Sequence, residues 1–187
     1  EYKDYYSQVI VPDQEIVIKE LQKAGLKEAQ IASLSSTQIA ALETADLVTI
    51  TTKQIQNLKT SQLAGLMTAQ ISVLTTDQLA SLSKLQLSGL STNQVRALTT
   101  DQVLSMTTTQ LVKMETSDFA ALTSDRLASL TSTQVGALTT DQLVALSTQQ
   151  ASAINATQVK GFTTAQLSKL ETQDLAAFTT SAVAGLS

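Results

Sequence analysis

Apolar residues return along this chain with alternating spacings of three and five, so the full period is eight. Aligned on a recurrent glutamine, the octad reads T-T-x-Q-L-x-x-L, and "LTTDQLASL" at 74–82, "LTTDQVLSM" at 98–106 and "LTTDQLVAL" at 138–146 are close copies. Numbering the octad 1 to 8, twenty consecutive copies run from Lys27 to Leu186 without insertion. Positions 5 and 8 are apolar in every copy, and position 2 is Ser or Thr in 17 of 20. Position 4 is Gln in 15 of 20. One long helix cannot use this pattern, because eight residues turn it by about 800° and each apolar pair drifts by about 80°. A continuous strand fails too, since odd spacings put successive apolar residues on opposite faces. The chain must therefore bend once per octad.

Leu, Ala and Gln at positions 4 to 8 favour helix, and positions 5 and 8 are neighbours on one helical face. Thr-x-x-Gln across positions 1 to 4 matches a capping box. Each octad is thus expected to be one short capped helix followed by a kink. The sequence leaves open which hydroxyl caps. Position 1 has the capping-box spacing but also holds Glu43, Lys59 and Met67, whereas position 2 is more uniform. So short a helix is unstable alone and must stack on its neighbours, as in a solenoid.

A longer period sets the coil. Gly65, Gly89, Gly161 and Gly185 all sit at position 7, separated by multiples of 24; Ser33, Ser81, Ser105 and Ser129 share another 24-residue class, as do Asp77, Asp101 and Asp125. The expectation is an all-α solenoid with three octads per coil, positions 5 and 8 filling the axis and the glutamines forming ladders between coils. The alternative is a triangular β-solenoid, favoured by Thr, Val and Ile and disfavoured by Leu, Ala, Gln and the scarcity of turn glycines.

Residues 1–26 break the period. They contain all three tyrosines (Tyr2, Tyr5, Tyr6) and the only proline, Pro12. A strand-like "YYSQVIV" followed by a helix stopping at Gly25 fits an N-terminal cap or docking segment, with 27–187 as the repeat domain. The last octad, with Val183 and Leu186 at its apolar positions, looks like any other. The expectation is that its open face is covered by continuing chain or by the tyrosine-bearing segment of a second copy, a head-to-tail contact able to build a fibre.

The remaining chemistry is sparse. The chain has no His and no Cys, which removes the commonest general base, thiol chemistry and disulfides. Net charge is −4, and the 12 basic residues are scattered singly, which argues against a nucleic-acid groove. No apolar run reaches the length of a membrane span. No phosphate loop or EF-hand loop is present, and no cofactor or catalytic residue is indicated. The chain begins at Glu1 and shows no signal peptide, which fits a processed protein or an excised piece. One substitution pattern is paired: where position 4 becomes Asp, position 1 is Glu. Glu43 with Asp46, Glu115 with Asp118 and Glu171 with Asp174 are weak candidates for calcium-bridging carboxylates. Against that stands a duplicated variant octad whose acids favour helix N-termini. Asn155-Ala156-Thr157 matches a glycosylation acceptor, a tripeptide common by chance.

The octad resembles the LTTAQVAAL-type tandem repeats of large, repetitive bacterial proteins, many of them secreted or surface-associated. The resemblance covers residues 27–186 and carries no functional residue with it. With the bland Ser/Thr surface, it implies a non-enzymatic structural protein outside the cell: a stalk, spacer or self-assembling fibre subunit. The alternative is an adhesin-like or ice-facing module presenting a regular Thr array.

Overall fold

A computed structural model describes residues 28–185. Within them run twenty helices, one per octad, numbered here from α1 (Glu28–Ser33) to α20 (Thr180–Ala184). Each has only four to six residues. Among the described residues there is no strand, so the helical solenoid holds and the β-solenoid does not.

Each helix packs against the helix three places further on, which makes the coil 24 residues long with one helix per side. Position 1 is the N-cap. Thr99, for example, is extended at φ −76°, ψ 165°, and its hydroxyl accepts the Gln102 N–H at 3.2 Å. Gln102 Oε1 in return accepts the Thr99 N–H at 2.7 Å, closing the capping box. Position 2 is the first helical residue and not the cap. Position 1 tolerates Lys59 and Met67 because the glutamine half of the box survives: Gln62 Oε1 and Gln70 Oε1 still accept their N–H groups at 2.7 Å.

The last helical residue stands at position 5, 6 or 7, and the C-cap is near-helical when it falls at position 6 or 7 and extended when it falls at position 8. Leu98 has φ −56°, ψ 135°. Positions 5 and 8 form one continuous buried cluster from Ile31 to Phe178. Burying a Leu or Ile side chain contributes roughly 1.5–3 kcal/mol, and most of the described octads bury two apolar side chains in this way. Near the C-terminal end Phe162 and Phe178, both at position 8, stack with ring centroids 6.1 Å apart.

Candidate functional site: the interface between coils

The polar group that dominates the interior is the position-4 glutamine. A short helix leaves its last carbonyls without helical partners, and here the partner comes from the next coil. Gln102 Nε2 donates to the carbonyls of Ile71 at 2.9 Å and Leu74 at 2.6 Å, 31 and 28 residues back. Gln94 does the same to Leu63 and Leu66, and Gln158 to Leu127 and Leu130. The bond to the residue 28 back is present for every position-4 glutamine from Gln62 to Gln166, at 2.6–3.1 Å. One buried amide therefore caps its own helix with its oxygen and clasps an earlier helix end with its nitrogen. Side chain bonds to backbone, not to another glutamine. The expected glutamine ladder is corrected in that respect, because the helix-terminal carbonyls are the acceptors in need of partners.

Close approach of the coils accounts for the glycines at position 7. A Cβ on Gly161 would collide with the Ser132 carbonyl, and one on Gly89 with the Thr60 methyl. Each of the four position-7 glycines meets position 2 of the coil before, as Gly65 lies against Ser36 and Gly185 against Ala156. Ser at position 7 elsewhere turns its hydroxyl back to the position-4 carbonyl, as Ser105 does to Gln102 at 2.7 Å.

The paired acids take the glutamine slot. Asp118 is buried and accepts the Thr92 hydroxyl at 2.8 Å; Asp174 is also buried. Glu43, Glu115 and Glu171 are N-caps whose side chains make no capping hydrogen bond. The three pairs stand in octads 3, 12 and 19 and are not brought together. Among the described residues no group of three or more His, Cys, Asp or Glu side chains lies close enough to hold a metal ion.

Asn155 is an N-cap: its Oδ1 accepts the N–H groups of Thr157 and Gln158, and its Nδ2 donates to the Ala128 carbonyl at 3.2 Å. That side-chain amide is engaged in structure, so the acceptor tripeptide is explained by capping. Val183 is exposed. Tyr2, Tyr5, Tyr6 and Leu186, and with them the cap segment 1–26, lie outside the described residues.

A recess of about 420 Å³ separates Ala120–Ser124 from Ala145–Gln150. Its lining offers hydroxyls, amides and methyl groups but no acid or base. No helix among the described residues is long and apolar enough to cross a membrane. Sequence reasoning missed the dual use of the glutamine. The signal was there, since an amide retained beside two apolar positions has two donors and an acceptor to satisfy once buried.

The ALTTAQ repeat family matches residues 39–84, 76–108 and 111–148, together more than half of the chain. No curated protein matches it. The chain belongs to the ALTTAQ repeat family.

Proposed function

We propose that this ALTTAQ-repeat chain is a non-enzymatic structural element, a stalk or spacer that works outside the cell. The observation that carries the reading is where its polar chemistry goes. The buried glutamines bond to their capping residues on one side and to helix-terminal carbonyls on the other, so coil cohesion uses groups that a catalytic or ligand site would need. The placement outside the cell rests on the likeness to repeats of secreted and surface proteins.

A spacer of this design has a quantised length. Deleting residues 75–98, one 24-residue coil, should leave a folded rod shorter by one coil spacing. Deleting one octad should shorten it less and rotate everything downstream by about a third of a turn. Electron microscopy of the chain and both deletions reads this out. Compact globules, or loss of folding in the whole-coil deletion, contradict the proposal, as does any robust turnover.

A second reading is a subunit that stacks end to end on another copy. The complementarity of successive coils favours it, because a glutamine amide on one coil reaches the helix-terminal carbonyls of another, as Gln102 reaches those of Ile71 and Leu74. Rods that lengthen with protein concentration would select this reading over the first.

A further inference from the structure

Two adjacent octads in the middle of the solenoid lack the clasp. Octad 12 (115–122) has Asp118 at position 4, and octad 13 (123–130) has Arg126. Asp118 carries no amide nitrogen to donate to the Leu87 and Leu90 carbonyls, the positions 31 and 28 back that a glutamine there would reach. Its carboxylate accepts from Thr92 instead. Arg126 stands opposite Val95 and Leu98 in the same register, yet its Nη1 is buried with no hydrogen-bond partner. The caps fail at the same place, since neither Glu115 nor Thr123 makes a side-chain capping bond. On either side the clasps are intact, with Gln110 donating to Leu82 at 2.9 Å and Gln134 to Met106 at 2.8 Å.

We propose that the contact between residues 83–98 and 115–130 is a built-in joint, the place where the solenoid opens first. Stability in a solenoid is a sum of repeat terms and nearest-neighbour terms. Losing two successive neighbour bonds and burying an unpaired donor lowers both locally. Helices of four to six residues do not survive separation from their neighbours, so opening the joint exposes the amides of octads 12 and 13. In a rod under load or thermal motion, the chain divides there into two stably stacked halves. The inference concerns where the fold yields and does not depend on the extracellular role.

Native-state hydrogen exchange on the whole chain tests it. Position-5 amides have the same local bond throughout: Val103 N–H to Thr99 at 3.0 Å, Phe119 to Glu115 at 2.9 Å, Leu127 to Thr123 at 3.0 Å, Leu143 to Thr139 at 3.2 Å. Phe119 and Leu127 should be less protected than both Val103 and Leu143 by about tenfold or more, a local dip and not a gradient towards an end. The Asp118→Gln, Arg126→Gln double variant should abolish the dip. Moving the joint with Gln78→Asp and Gln86→Arg should create a new one at Leu79 and Leu87. Equal protection across the four amides overturns the proposal. So does a dip that persists in the repaired variant, or a transplanted pair that changes nothing.

Discussion

Residues 28–50 and residues 163–185 are each one coil of the same solenoid, yet they present opposite faces. In the first, the position-5 side chains are covered, with Ile31 at 1% exposure, while Gln30 is exposed and Gln38 half-buried. In the last, Gln166 is buried, while Leu175 is 38% and Val183 49% exposed. Each coil thus has a glutamine face that looks back along the chain and an apolar, carbonyl-bearing face that looks forward. The two are complementary to each other and not to themselves, so coils stack in one direction only.

The largest expected effect lies on the axis. Leu98 is fully buried, and Leu98→Asp should destabilise by about 4 kcal/mol or more, because an unpaired carboxylate replaces a packed side chain. Val183→Asp, on the forward face of the last described coil, should change stability by about 0.5 kcal/mol or less. Urea unfolding measures both. Equal losses would erase the distinction between covered and open faces. Early damage in Leu98→Asp should stay within neighbouring coils, visible as locally faster amide exchange.

The clasp comes next. Gln102→Leu leaves the Thr99 N–H and the Leu74 carbonyl without their partners and should cost about 2–4 kcal/mol. Gln38→Leu, whose described hydrogen bonds are confined to its own cap at Ser35, should cost about 1 kcal/mol. If the two substitutions were equivalent by denaturation, the contribution of the amide to coil stacking would be refuted and only its capping role would stand.

Smaller effects sharpen the picture. Gly161→Ala places a Cβ against the Ser132 carbonyl and should destabilise by about 1–3 kcal/mol through forced separation of two coils. Met67→Thr should do the reverse. Met67 is exposed at an N-cap whose side chain makes no bond, so supplying the hydroxyl should stabilise by about 0.5–1 kcal/mol. Thermal melting of this pair gives opposite shifts if capping and coil spacing act as described.

Much of this was readable in the sequence. The octad fixes the bend, positions 5 and 8 define the core, and the glycines at multiples of 24 reveal three octads per coil, because only coil stacking brings residues 24 apart into equivalent surroundings. The capping position was not readable. Ser and Thr dominate positions 1 and 2 for different reasons: position 1 caps, whereas position 2 sits under position 7 of the next coil, where Ser36 meets Gly65. Uniformity at position 2 therefore reported a packing constraint, and variability at position 1 reported a cap that the glutamine partly replaces. The carboxylate pairs read as metal candidates because sequence shows that two acids recur together, with the Asp at position 4, but not that position 4 is buried against an earlier coil. Asp118 settles against Thr92, 26 residues back, a neighbour that only the coil length identifies.

The central claim is the coil of three octads, and the absence of cysteine makes it directly testable. A Cβ on Gly89 would lie 3.3 Å from Thr60 Cβ, close to the spacing of about 3.5–4.5 Å that a disulfide needs. Thr60→Cys is combined in turn with Ser81→Cys, Gly89→Cys or Ala97→Cys, the same repeat position in coils of two, three or four octads. After mild oxidation of dilute protein, the account predicts an intramolecular disulfide in the Gly89 variant and free thiols in the other two. Efficient closure through position 81 or 97, with position 89 unreacted, would contradict it.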